Sequence, residues 1–303
     1  MKFQNVINRL AVAIRQVART DVLDLLPLLT VLLLLLSPLS TWYLHTPLVL
    51  LCIIAVAYRK LLKATPFWYI ISVLWGTTIY FHWESTDNHK YLICYWCLAL
   101  CTTFSVAPKD QLKALRQTSR LLIGLCMTLA TFWKLMSPDY LDGTFFHYCL
   151  LVDERFTSVA TTFGNISSTA LTDNRELWEL LREGYLYGIE FQNTTLETSP
   201  ELGKLARFLS WWTIFIEAAL AWLFFMPAHP LVSRIRNFVL LVFAVTTYAV
   251  APVKGFGWIL MLLGVAQCHN DEKAFRIAYL VTFLLIQCYT LPFAGIVKLL
   301  IER

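Results

Sequence analysis

The chain has 303 residues, 58% of them hydrophobic, 15% aromatic and only 15% charged, against roughly 25% charged in an ordinary soluble domain. That balance argues against a soluble globular class and for an all-α polytopic membrane protein, whose backbone polar groups a helix satisfies internally. The formal charge of +5 is spread over short basic clusters between apolar runs, which speaks against a nucleic-acid partner, since such a partner needs its cations gathered on one face.

The first element, residues 1–20, reads as an amphipathic interfacial helix. Phe3, Ile7, Leu10, Ile14 and Val17 share one face, and Arg9, Arg15 and Arg19 interrupt the other. A cleaved signal peptide fits poorly, because the apolar stretch that follows is too long and lacks a small-residue cleavage pattern. Residues 21–303 read as a single membrane domain. Apolar runs at 22–43, 46–58, 66–83, 91–106, 121–136, 205–226, 237–250, 255–267 and 275–297 are measured against the roughly 20 residues that span a bilayer. The second and eighth are brief, and Pro252 is placed to break one long helix into two arms, so the expected count is eight or nine transmembrane helices.

Orientation follows from the basic residues in the connections. Lys2, Arg9, Arg15 and Arg19, then Arg59, Lys60 and Lys63, then Lys109, Lys113, Arg116 and Arg120 all come out cytoplasmic. Arg234 and Arg236 return the chain to that side. The alternate connections, 84–90 and 137–204, are acidic or mixed, the second with eleven acidic residues. The N-terminus is therefore expected in the cytoplasm and loop 137–204 on the opposite face.

Loop 137–204 reads as a folded cap, because a structureless loop of that length is unusual. Residues 176–183 (ELWELLRE) suggest an amphipathic helix capped by Asp173 or Asn174, with loop-like flanks at 163–168 and 192–195. Asn165 and Asn193 head N-x-Ser/Thr sequences, which matter only in a eukaryotic secretory route. Cys94, Cys97 and Cys101 share one helical stripe and read as buried packing rather than a ligand set; the dispersed remainder outlines neither zinc site nor disulfide framework. No metal is expected.

Lys134 is the residue that most needs a reason. It closes the apolar run 121–133, where an ammonium must reach water, find a partner or give up its proton. On the preceding span His89 lies 17 residues before Val106, and Lys134 lies 14 after Arg120; both therefore sit roughly 20 to 25 Å from the basic link that joins the two spans. Asp87, Asn88, His89 and Lys134 could share one site at the outer face, where a desolvated lysine beside imidazole and amide loses basicity and becomes a general base. The alternative is anchoring: Phe132 and Trp133 beside a snorkelling lysine make an ordinary interfacial belt. His89 with Asp87 could equally be a helix start. Glu217, near mid-membrane, must be protonated, hydrated or paired; a structural bond to an Arg or Trp and a proton relay both fit.

Asp87-Asn88-His89-Lys90-Tyr91-Leu92, followed by Lys134-Leu135 and then Tyr140-Leu141-Asp142-Gly143, resembles the vitamin K-dependent gamma-carboxylase family and its wider bacterial relatives, the horizontally transferred transmembrane (HTTM) domain proteins. Asn88 and His89 match the first family element; Lys134, Leu135, Tyr140 and Gly143 match the second; Glu217 resembles an acidic residue within a membrane helix of the family. The likeness in hydropathy and order covers most of residues 20–270. It implies a carbon–carbon lyase coupled to epoxidation, with a reduced vitamin K or related quinol, oxygen and carbon dioxide as co-reactants. By that likeness Lys134 deprotonates the quinol, and oxygen turns the quinol into a stronger base. That base removes a gamma proton from a glutamyl side chain of a secreted protein or peptide, and carbon dioxide traps the carbanion. His89 assists proton movement, Asn88 bonds a developing anion, and Glu217, Asp87 and Asp142 support. A bacterial plasma membrane is the location expected. The chain differs from the family in two respects: it ends at Arg303 without the large lumenal domain of the animal enzymes, and run 237–250 has no histidine.

Two other classes remain open. A transporter would use Lys134, His89 and Glu217 to line a polar path, and inverted repeats with broken helices would favour it. A non-catalytic membrane partner would escort a secreted peptide. Replacing Lys134 discriminates among the three.

Overall fold

The computed structural model describes residues 20–39, 41–188, 195–227, 229–250, 253–269 and 271–288, and these are helical with no strand. The expected interfacial helix 1–20, Asn193, Pro252 and the end of run 275–297 fall wholly or almost wholly outside them. Among the described residues thirteen α-helices follow in order: α1 Val22–Leu36, α2 Trp42–Ala57, α3 Thr65–Phe81, α4 Asn88–Ser105, α5 Pro108–Leu135, α6 Pro138–Leu141, α7 Thr144–Val152, α8 Thr157–Phe163, α9 Ser168–Leu186, α10 Pro200–Phe225, α11 Pro230–Val250, α12 Lys254–Gln267 and α13 Lys273–Cys288.

Several expected boundaries move for identifiable reasons. Run 22–43 is not one helix: α1 stops at Leu36 and α2 starts at Trp42, because Pro38 offers no N–H and biases Ser37 away from helical backbone. The basic link 109–120 is helical rather than a loop. Pro108 opens α5 and the helix runs 28 residues to Leu135, roughly 42 Å, so its first three turns carry the cations and the rest is apolar. Among the described residues, two helices are long and apolar enough to cross a membrane, Pro200–Phe225 and Pro230–Tyr248, while α1, α2 and α12 are apolar but shorter.

The chain divides into two compact units. The first comprises Met1–Cys126, Leu223–Ala244 and Val253–Arg303, and α12 is its central element. From Gly257 to Gln267 every residue of α12 is buried, as expected of a helix that is apolar all round, and it packs against α1, α4 and α13. A Cβ on Gly264 would meet the Tyr279 ring at 2.8 Å, so glycine there is what lets α13 lie close. Trp96 of α4 donates its indole N–H to Thr30 of α1 at 2.8 Å, which satisfies a buried polar pair between two otherwise apolar helices.

The second unit comprises Met127–Trp222 and Val245–Pro252, with the cap segment as its body. Loop 137–204 is folded around a core that includes Tyr140, Phe146, Leu150, Phe156, Leu171 and Leu202. The helix expected at 176–183 is longer, and its cap is a different residue. Ser167 Oγ accepts from the Ala170 N–H at 3.0 Å and starts α9 at Ser168. Asn174 instead lies buried inside that helix, where its amide donates to Glu197 O and accepts from Glu197 N, both at 2.8 Å. One side chain thereby mimics a strand partner and ties down the run that leads into α10. Asn165, exposed in the α8–α9 turn, has a φ of 49°, the left-handed region that asparagine tolerates.

Candidate functional site

The second unit brings Lys134, Tyr140 and Glu217 together. Glu217 lies on α10, a helix whose polar residues Ser210, Thr213 and Glu217 fall three and four apart and so share one face. The opposite face shows Phe208, Trp211, Phe215 and Trp222, each more than half exposed. This is the reverse of a soluble amphipathic helix: aromatics point outward and the polar stripe points in.

Lys134, in the last turn of α5, donates from Nζ to Glu217 Oε1. The lysine side chain is 19% exposed and the glutamate 8%, so the pair is largely withdrawn from solvent. Lys134 Nζ also lies 5.2 Å from the centre of the Tyr140 ring, a cation–π distance. The phenol of Tyr140 shares a hydrogen bond of 2.7 Å with Thr213 Oγ1, and the Thr213 hydroxyl reaches Ser210 O at 2.9 Å. Burial pushes the Tyr140 phenol well above its ordinary value, with nearby Glu217 adding to the effect and the Thr213 bond opposing it. Among the described residues, two polar atoms of this group are buried without a partner, Glu217 Oε2 and Ser210 Oγ.

Neighbouring residues fix this geometry. Ser137 ends α5, Pro138 opens the single turn α6, and the chain reverses through Gly143 at φ 92°. A Cβ there would meet Arg207 Cγ at 2.8 Å and the Arg207 backbone at 3.1 Å. Only glycine allows both that backbone conformation and that approach to α10. Asp142, exposed, accepts from the Thr144 N–H at 2.8 Å, and this bond holds its carboxyl below the usual range. Asp142 precedes Gly143, the N-cap of α7, and is oriented by that bond.

Asn88, His89 and Asp87 belong to the first unit. Asp87 is the N-cap position of α4, with no side-chain bond to the helix, and Asn88 is the first helical residue; both are exposed. His89 is half-buried, with its ring against Gly255 of α12, where a Cβ would come within 2.4 Å of Nε2. Burial lowers its pKa from the ordinary 6.5, with Asp87 acting in the opposite direction. Of the expected site residues, the fold therefore joins Lys134 with Glu217 in one unit, while His89 and Asn88 are placed in the other.

Sequence reasoning named Lys134 and Glu217 separately and missed that they are partners; it also missed Thr213 and Ser210. The available signal was the three-four spacing of polar residues in an apolar helix. A second buried polar group, in the first unit, was not anticipated either. Glu272 accepts from Ser233 at 2.6 Å, Asn237 at 3.1 Å and the His269 N–H at 2.8 Å, and Tyr279 donates to Asn237 Oδ1 at 2.8 Å. Among the described residues no group of three or more His, Cys, Asp or Glu could hold a metal. In comparisons with family models, curated proteins and solved structures, none matches this chain.

Proposed function

We propose that this chain is an integral membrane protein with eight or nine crossings whose Lys134–Glu217 pair is a proton-transfer site. One observation carries the reading: a lysine and a carboxylate from different helices meet where solvent is largely excluded, beside a buried phenol and an unpartnered carboxylate oxygen. Two charges withdrawn from water are costly to hold. The carboxylate can take the ammonium proton along the bond they share, which leaves a free amine as general base. Glu217 Oε2 is then an acceptor for a hydroxyl donor. The outward aromatics of α10, with Leu121, Leu125, Leu129 and Phe132 exposed along one face of α5, fit lipid as their surroundings.

The substrate class proposed is a reduced quinone. Bound, it would supply two hydroxyl donors and a ring soluble in the bilayer; the unpartnered Glu217 Oε2 and the Lys134 amine are the groups that would hold and deprotonate one hydroxyl. The HTTM and gamma-carboxylase resemblance extends this to oxygen-dependent carboxylation of a glutamyl substrate. The test is mass spectrometry of secreted proteins co-expressed with the chain, scored for one added carbon dioxide on glutamate, alongside quinol consumption by membranes. Lys134→Ala is expected to abolish both signals. Wild-type protein that does neither, or a fully active Lys134→Ala, overturns the proposal.

The same pair also supports a purely structural reading, since it ties α5 to α10. The exchanged variant Lys134→Glu/Glu217→Lys separates the two. A structural tie predicts that thermal stability and whatever activity is present both return; a base at Lys134 predicts that stability returns and activity does not.

A further inference from the structure

A second site lies wholly in the first unit. A cavity of about 540 Å³ opens beside the first turns of α5, and Lys109, Lys113, Arg116, Arg120 and His269 line it. No carboxylate is among its described lining residues. The spacing of the four α5 cations, at 109, 113, 116 and 120, sets them on one helical face by the same three-four rule that built the site above.

The two arginines are held rigidly. Arg120 donates to Met226 O at 2.5 Å and Phe224 O at 3.5 Å, at the end of α10, and its Nε has no partner. Arg116 Nε donates to Cys268 O at 3.2 Å. Carbonyl partners orient the Arg120 guanidinium without cancelling its charge, while Arg116 also lies in the field of the Glu272 and Asp271 carboxylates. Glu272 accepts from Ser233, Asn237 and the His269 N–H, and with Asp271 it offsets part of the Arg116 charge, so the anion-binding field rests on Lys109, Lys113 and Arg120. Leu121, Phe224 and Phe225 form the other wall. The volume falls in the range of small-molecule sites, and its two walls differ in kind: fixed cations on one, apolar side chains on the other.

We propose that this cavity binds a phosphate-bearing anion, with the phosphate on the α5 cations and any attached chain along Leu121, Phe224 and Phe225. The positive face of α5 lies on the side that the basic residues assign to the cytoplasm, where anionic lipid headgroups carry that chemistry; a free phosphate compound is the other source.

The probe is dioleoylphosphatidylglycerol added to the full chain in neutral detergent, read by native mass spectrometry. Dioleoylphosphatidylcholine is the comparison, and inorganic phosphate the competitor. Lys109 and Lys113 are exposed, so Lys109→Gln/Lys113→Gln leaves the fold intact, and Arg59→Gln/Lys60→Gln controls for diffuse surface charge. The site predicts that the anionic lipid binds in preference to the neutral one. It predicts a loss of roughly twentyfold or more in Lys109→Gln/Lys113→Gln, each cation contributing about fivefold, and no loss in the control variant. Displacement by inorganic phosphate assigns the site to a free anion; resistance to it assigns the site to a lipid headgroup. Equal losses in the two double variants, or no binding of either anion, overturn the proposal.

Discussion

Lys134 has a partner because α10 presents a carboxylate at its height, and the cost of separating them is set by burial. Lys134→Ala leaves the Glu217 carboxylate nearly buried and uncompensated, with side-chain exposure of 8%, which destabilises by about 3 kcal/mol. Removing both charges together, as Lys134→Met/Glu217→Leu, is expected to cost much less, because no lone charge remains. Thermal unfolding of the two variants in the same detergent checks the difference; equal melting points would mean that the pair is not coupled. Gly143 gives a second residue-level outcome. Gly143→Ala meets both a φ of 92° and the Arg207 backbone, and should cost about 2 kcal/mol or more. Gly203→Ala, with nothing within 4 Å of its Cβ, should be neutral or stabilise by up to about 1 kcal/mol. The same melts rank the two. His89 adds a pH dependence. Burial lowers its pKa below 6.5, so the unfolded chain binds a proton that the folded chain resists. Its contribution to stability is complete above that pH and is lost as the pH falls through and below it. Melting temperature should therefore decline between pH 7 and 5, and His89→Gln should flatten that slope.

At the level of elements, proline marks helix starts and a break that the reading of run 22–43 as one span passed over, while Pro27 and Pro47 are carried inside α1 and α2. Pro108 opens α5, Pro200 opens α10, Pro230 opens α11, and Pro38 accounts for the break after α1. The cap of α9 was not readable. Asp173 and Asn174 are good capping residues, yet Ser167 takes the role, because the helix extends two turns further back over the core at Ala170 and Leu171. Asn174 is thereby freed to bond Glu197 across a gap in sequence. Asn174→Ala removes two hydrogen bonds from buried or half-buried groups and should cost about 2 kcal/mol. Hydrogen exchange in the segment Leu196 to Ser199 should accelerate while that of α13 stays unchanged; unaltered exchange would show that the amide is not what holds this run. The polar stripe of α10 was legible as spacing alone. Its direction was not, because a stripe three and four apart marks a face without saying what covers it.

For the whole molecule, composition announced the helical class and the apolar surface, and the outward aromatics of α10 agree with a lipid environment as proposed above. The chain is expected to remain with the membrane fraction after an alkaline wash. An introduced cysteine at Tyr185, exposed on α9, should react with an impermeant maleimide applied to intact cells, whereas one at Lys113 should react only after lysis. Labelling of both from outside would overturn the orientation drawn from the basic residues. The sequence by itself determined what local forces decide: helix in place of strand, and which few ionisable residues stand in apolar surroundings. Tertiary structure alone decided that Lys134 meets Glu217 across 83 residues, that Tyr140 reaches Thr213, and that His89 packs on Gly255. Periodicity fixes the face a side chain occupies on its own helix. Which face of which other helix lies opposite depends on packing between segments distant in sequence, and that is settled only when the helices close on one another.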